Sequence, residues 1–378
     1  MSDSLALRRV TAHVYRYPLE TPVQTSFGIM RDRPMVVVEV EDAQGARGYG
    51  EVWCNFPAVG AEHRARLVTS VLAPLLTARP FADAAQAFAH MTEATAVLAL
   101  QSAEPGPFAQ AIAGVDIALW DLAARKASQP LWRHLDASAS PVVGVYASGL
   151  NPTGPEALAA QKRSEGYRAF KLKIGFGLDR DLRNLSAVRE AIGPECALMA
   201  DANQAWDLET AVLHGRELDR HGLAWLEEPL RCDRPWPEWQ ALSGSIATRL
   251  AAGENMQGTQ SFAEAVASRA FGVLQPDMAK WGGFSATLPV ARSILAAGLR
   301  FCPHYLGGGI GLLASAHLLA AAEGDGLLEI DANPNPLRSE LCGPLNDIRD
   351  GRATLTEAPG LGPVPLTALE RYRVPVAA

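Results

Sequence analysis

Apolar and polar positions change rhythm twice along the 378 residues. Between residues 7 and 52 the runs RRVTAHVYRY, MVVVEVED and YGEVW are rich in β-branched and aromatic residues, the last entered through a Gly45/Gly48/Gly50 turn region. That pattern predicts an antiparallel meander. From Ala61 to Leu98 and from Pro107 to Leu135 the spacing turns helical, with Ile112, Val115, Ile117, Ala118, Leu119 and Leu122 on one face and Pro130 closing the pattern. Residues 1–135 thus read as one α+β unit. After Pro141 short β-rich runs alternate with alanine- and leucine-rich helical stretches: VVGVYASG, YRAFKLKIG, CALMADAN, LAWLEEP, RLAAGEN, FGVLQPD, LRFCPH and LLEID. From the second run onward one polar residue stands at each end, Lys171, Asp201, Glu227, Glu254, Asp277, His304 and Glu329, at intervals of 23 to 30 residues. A βα unit repeated at that period predicts a closed (β/α) barrel over residues 141–342. An open doubly wound sheet would carry a dinucleotide fingerprint, and the glycines of LGGGIG after His304 have the wrong spacing for one. Residues 343–378 are turn-rich and strand-like and are expected to return to the N-terminal unit. The expected fold is therefore α/β, a modified (β/α) barrel with an N-terminal α+β capping domain completed by the C-terminal segment.

Composition supports a large core, with 48% hydrophobic and 20% charged residues. A formal charge of -7, without long runs of either sign, offers no footprint for a phosphate backbone, so nucleic acid is not an expected partner. The first residues lack a signal-peptide pattern, and the alanine- and leucine-rich stretch at Ile310 to Ala322 is too short to span a bilayer, so a cytoplasmic protein is expected. The five cysteines show no paired spacing, which argues against a disulfide framework or a thiolate zinc site.

In a barrel of this kind, catalytic groups stand where strands end and βα loops begin. Asp201, Glu227 and Glu254 end three successive predicted strands. A lone acid there is commonly a solvated loop residue, but three in consecutive register repel one another unless a cation lies between them. All-oxygen ligands favour Mg2+ over zinc. Lys171 and Lys173 are two apart and share a face, which is either the barrel interior or a basic edge in water. If they lie inside, each disfavours the other's proton and a nearby divalent cation adds to this, so one of them can be poised as a neutral base. Asp277 and His304 end adjacent strands, so the carboxylate can orient the imidazole; a satisfied core histidine is the alternative. Lysine and histidine on opposite sides of a metal-bound carboxylate substrate could remove its α-proton, giving an enediolate that the cation stabilises.

These motifs together resemble the mandelate racemase branch of the enolase superfamily along the whole chain. The resemblance implies Lys173 as base and Lys171 as a carboxylate contact in KLK. It implies Asp201 as metal ligand and Asn203 as a contact to the substrate hydroxyl in DAN, with Glu227 of WLEEP and Glu254 of GEN as further ligands. Asp277 of QPDMAKWGG stands where the muconate lactonizing branch has a lysine, which argues against a muconate-type cycloisomerase. Glu329 of LLEID matches an acid that hydrogen-bonds the substrate carboxylate.

Relatives select substrates with two cap loops, here residues 21–33 and 52–60, making Thr25, Trp53, Asn55 and Phe56 candidate contacts. KIGFGLDRDLR with VREAIGP resembles branch members acting on aldaric acids and their lactones. The leading expectation is a Mg2+-dependent dehydratase converting an acid sugar to a 2-keto-3-deoxy acid, with Mn2+ as a substitute metal. A 2-hydroxy acid racemase or epimerase and a sugar-acid lactone cycloisomerase share its first half-reaction. A non-enzymatic barrel would lack a ligand or a base, and a metal-dependent hydrolase would want histidine ligands. The resemblance also implies a homo-oligomer, from dimer to octamer.

Overall fold

A computed structural model describes residues 4–24 and 28–376. The cap sheet has the order β13-β1-β2-β3, built from β1 (Leu7–Gln24), β2 (Ile29–Asp42), β3 (Arg47–Val52) and the late strand β13 (Arg373–Val374). The meander is present, but Gly48 and Gly50 lie inside β3 rather than in a turn. A Cβ on Gly50 would stand 2.0 Å from the Gly114 carbonyl oxygen, and one on Gly48 would stand 2.2 Å from that of Ala118. These glycines let the long helix α4 lie directly on the sheet. Only Gly45, at φ +87°, serves the turn.

The first helical stretch is divided into α1 (Gly60–Leu67), a π-turn at Val68–Leu72, α2 (Ala73–Thr77) and α3 (Ala84–Gln101). Asp83 caps α3 by accepting from the Gln86 N–H, so the chain restarts a helix inside what reads as one pattern. The second stretch is α4 (Pro105–Lys126) followed by α5 (Leu131–Leu135), with Pro130 at the N-cap of α5.

Eight parallel strands follow in the order β10-β9-β8-β7-β6-β5-β4-β11. They are β4 (Val142–Leu150), β5 (Ala169–Lys173), β6 (Ala197–Asp201), β7 (Leu226–Glu227), β8 (Leu250–Ala252), β9 (Val273–Leu274), β10 (Arg300–Phe301) and β11 (Leu327–Asp331). Each predicted run contains one of them. Helices α6 (Pro155–Ser164), α7 (Leu178–Ile192), α8 (Leu208–Leu218), α9 (Trp236–Ser243), α10 (Thr259–Ser268), α11 (Gly283–Ala296) and α12 (Gly309–Ala322) separate them. Among the described residues β10 and β11 share no ladder; at that seam the Leu327 N–H donates to Cys302 Sγ at 3.4 Å. The 14 residues of α12 are all buried, which accounts for its apolar composition, and no helix among the described residues is long and apolar enough to cross a membrane. The C-terminal segment serves both units: β13 extends the cap sheet on β1, whereas β12 (Arg352–Thr354) pairs antiparallel with β4 of the barrel.

Strand alternation layers the barrel interior. Tyr146, Ala169, Met199, Trp225, Ala251, Val273 and Cys302 form an apolar plug. Two residues further along their strands stand Lys171, Asp201 and Glu227, one pleat nearer the mouth. Phe170, Leu172 and Ile174, with the opposite parity to the lysines, pack in the main core among the helices. Both lysines of KLK therefore belong to the interior.

Candidate active site

Strand register sets the catalytic row. Lys173 pairs with Asp201, and Asp201 with Glu227, so three ionisable side chains stand abreast on β5, β6 and β7. Val273 pairs with Arg300 on β9 and β10, and four residues beyond each partner come Asp277 and His304. His304 Nδ1 and Asp277 Oδ2 lie 2.7 Å apart, so the carboxylate orients the ring.

Above the plug lies a cavity of about 250 Å³. Lys173, Asn203, Glu254, His304 and Glu329 line it from the barrel, and Trp53, Asn55 and Phe56 from the cap. Lys171, Asp201, Glu227 and Asp277 do not line it; they form its buried support. Thr25 lies outside the described residues.

Each acid of the row leans on a cation. Lys173 Nζ donates to Asp201 Oδ2 at 2.6 Å. Lys171 Nζ donates to Glu227 Oε1 at 2.5 Å, lies 2.8 Å from Glu329 Oε1, and sits 5.4 Å above the Tyr146 ring. Glu254 Oε2 lies 2.7 Å from His304 Nε2, and its Oε1 accepts from Asn255 at 2.9 Å and from Lys280 at 3.4 Å. Glu329 also accepts from Ser148 Oγ at 2.5 Å and from the Tyr305 N–H at 3.2 Å.

Protonation follows these pairings. Burial works against the charge on Lys171, but Glu227 and Glu329 overcome it and hold the ammonium well above the ordinary lysine range. Lys173 is likewise raised: burial opposes, and Asp201 outweighs the repulsion from Lys171. Without a bound cation, a carboxylate within hydrogen-bond reach of each ammonium holds its proton in place. Burial depresses His304, yet Glu254, Glu329 and Asp277 bring it up to about 10. Burial would lift Glu329, but Lys171 and His304 hold it at about 2.

As the side chains stand, no three Asp, Glu, His or Cys residues among the described residues are placed to hold one metal ion. The donor chemistry nevertheless fits a hard divalent cation. Glu227, despite its lysine partner, is pushed up to about 7 by burial and by the neighbouring Asp201 and Glu329. Glu228 is raised well above the carboxylate range by burial and by Glu254 and Asp201. The site thus holds more buried carboxylate than its lysines neutralise, all of it oxygen donors.

Several participants escape sequence reasoning. Glu228 is buried with φ +39° and accepts from Asn255 Nδ2 at 3.1 and 2.9 Å. Asn203 and Gln204 also have positive φ, so backbone outliers gather on the loops after β6 and β7. Lys280 lines the cavity with its ammonium 4.8 Å from the Trp53 ring centre. Glu51, on β3, accepts from the N–H groups of Gly308 (2.5 Å) and Gly311 (2.9 Å), and Asn55 Nδ2 donates to the Leu306 carbonyl at 2.5 Å. The LGGGIG stretch is therefore a helix N-terminus that anchors the cap. The signal for Lys280 was the one cation inside QPDMAKWGG, and for Glu228 the second acid of WLEEP; Gln204 and Glu51 had none.

Comparison with known proteins adds to this geometry. Residues 8–135 match the family model for the mandelate racemase/muconate lactonizing enzyme N-terminal domain, and residues 156–366 match the enolase C-terminal domain-like model. The chain belongs to the mandelate racemase/muconate lactonizing enzyme family of the enolase superfamily. A family member from Bordetella bronchiseptica RB50, of known crystal structure, is 60% identical with a TM-score of 0.92, over 98% of this chain and 99% of that one. D-galactarolactone cycloisomerase of Agrobacterium fabrum is 30% identical over 98% of this chain and all of its own. A racemase from Streptomyces coelicolor A3(2), solved with bound magnesium, is 28% identical with a TM-score of 0.84, covering 97% of this chain and 100% of that one. Relatives in this family are enzymes, and they include dehydratases of sugar acids, cycloisomerases and epimerases.

Proposed function

We propose that this family member abstracts the α-proton of a hydroxycarboxylate and dehydrates an acid sugar to a 2-keto-3-deoxy acid. The observation that carries the reading is the meeting of Lys173 and His304, from β5 and from the loop after β10, on one cavity. Asp201, Glu227 and Glu254 would hold Mg2+, which when bound supplies a positive charge to offset the second negative charge developing on the substrate carboxylate.

With Asp201 and Glu254 engaged by the cation instead, Lys173 Nζ or His304 Nε2 would be free to take the α-proton, and a protonated His304 then delivers a proton to the departing β-hydroxyl. Asp277 keeps Nδ1 of the ring engaged, and Nε2, which here meets Glu254, would be free for this transfer when Glu254 turns to the cation. Glu329, fixed by Lys171 and Ser148 and 3.6 Å from His304 Nε2, supports the charge on that ring. Trp53, Asn55 and Phe56 close the cavity from the cap and exclude water.

An acid sugar is favoured by the rest of the lining. Ser148, Asn151, Gln204, Asn255 and Asn333 present amides and a hydroxyl that can both donate and accept, as a polyhydroxylated chain requires. The curated relative named above for a galactarolactone also acts on a sugar acid derivative.

A screen of mono- and diacid sugars with Mg2+ in D2O tests the reading. Keto-acid formation is the expected result. Solvent deuterium uptake without keto acid would replace dehydration by racemisation or epimerisation, and neither signal with any acid would overturn the proton-abstraction chemistry.

A further inference from the structure

Of the lysines at the barrel mouth, Lys171, Lys173 and Lys280, the last has no part in the chemistry above. It stands three residues after Asp277 on the loop between β9 and α11. Asp277 Oδ1 fixes that turn by accepting from the N–H groups of Ala279 (2.8 Å) and Lys280 (3.1 Å), while its Oδ2 orients His304. One carboxylate thus places both an imidazole and an ammonium against the cavity. The Lys280 side chain is 8% exposed, and its Nζ lies 3.4 Å from Glu254 Oε1, 3.2 Å from Asn255 Oδ1 and 4.8 Å from the Trp53 ring centre. All four residues line the same cavity.

Both oxygens of Glu254 are engaged in this arrangement. Oε2 meets His304 Nε2 at 2.7 Å, and Oε1 is shared by Lys280 Nζ and Asn255 Nδ2. A divalent cation that takes Glu254 as a ligand therefore meets Lys280 twice, as an occupant of Oε1 and as a like charge beside the site. The ammonium is not free to withdraw. The Trp53 face and Asn255 Oδ1 hold it from the cap and from the barrel, and Asn255 is itself steadied by donating to Glu228 at 3.1 and 2.9 Å.

We infer that Lys280 is a positioning residue that sets the affinity of the mouth for its divalent cation: a resident competitor for Glu254, kept in place by Trp53 of the cap. The inference rests on the assignment of Glu254 as a metal ligand. Loading the site passes Glu254 from the ammonium to the cation and leaves Lys280 with Asn255 and Trp53, close enough for its charge to weaken the binding.

Free Mn2+ read by electron paramagnetic resonance, with Mg2+ as the displacing ion, measures this binding apart from turnover. Glu254→Gln should abolish it, which ties the titration to the mouth. Lys280→Met keeps the length of the stem and removes the charge, and should tighten Mn2+ binding about 10- to 100-fold, the range by which a like charge a few ångströms away shifts an ionic equilibrium. Lys280→Arg restores the charge and should return the affinity to within about threefold of wild type. Circular dichroism checks that each variant is folded, and Lys280→Gln, also neutral, should tighten binding in the same direction as the methionine. Unchanged or weaker binding in the folded neutral variants, or equal tightening in Lys280→Arg, would overturn the competition. No Mn2+ binding by wild type and Lys280→Met alike, or binding unmoved by Glu254→Gln, would overturn the metal assignment and the competition with it. Binding that depends on Lys280 in this way, without turnover of any acid, would overturn the functional reading and leave the role of Lys280 standing.

Discussion

His304 and His317 are the same residue type at nearly the same burial, 5% and 2% exposed, and their surroundings drive them in opposite directions. His317, in α12, accepts a hydrogen bond on Nδ1 from the Trp132 N–H at 2.9 Å, and burial brings it down to about 3. His304, against the same desolvation, is raised to about 10 by Glu254, Glu329 and Asp277. Burial alone removes the proton from an imidazole; a cage of carboxylates puts it back. The two regions differ because α12 is apolar on every side, whereas the strand ends at the barrel mouth deliver one ionisable group after another to a common point.

The comparison predicts where change is costly. Chelation acts only on the mouth: solvent deuterium uptake should vanish in excess EDTA and return with Mg2+, while circular dichroism stays that of the folded protein. Unchanged exchange in chelator would remove the cation from the account. His304→Asn and Lys173→Ala should each lower turnover by about 100- to 10,000-fold with the fold intact. Near-normal rates in both would break the assignment of the mouth to chemistry.

One layer deeper, Lys171→Met should act on stability. It leaves Glu227 and Glu329 buried without their shared cation, at a cost of about 3–5 kcal/mol readable as a lower urea midpoint. A midpoint equal to wild type would show that the acids do not need this ammonium.

His317 sharpens the other side. Its folded pKa lies below the unfolded value, so between pH 6.5 and about 3 the unfolded chain binds a proton that the folded one refuses. Stability should fall with pH through that window, by up to roughly 4 kcal/mol. His317→Asn should flatten this limb relative to wild type; identical slopes would refute the assignment. The smallest effect is expected at Glu51, which burial raises to about 6. Glu51→Gln keeps an acceptor for the N-terminus of α12 and relieves a buried charge, so KM should shift by only a few-fold, about 1 kcal/mol or less. A loss of activity as large as that of His304→Asn would place Glu51 among the chemical groups.

Much of this was legible because it is local. The βα period needs only strand-sized apolar runs and the turns between them, and the ends of those runs carry Lys173, Asp201, Glu227, Glu254, His304 and Glu329. Gly48 and Gly50 were misread as turn residues because a glycine needed for close helix packing looks, in a sequence, like one needed for a turn. The single helical pattern from Ala61 to Leu98 hid the break at Asp83, since the apolar spacing resumes after it.

The amino-acid order by itself determined the barrel, its cap and the row of ionisable groups at the mouth, because periodicity and strand parity act between near neighbours. Only the tertiary structure decided which cation each acid meets, that Lys171 supports the site while Lys173 opens into it, and that Arg33 reaches Asp331 across 298 residues of chain. Those outcomes depend on which strands become neighbours and on how the cap closes over them, and charges buried in a low-dielectric interior answer to whatever lies within a few ångströms, however distant along the chain.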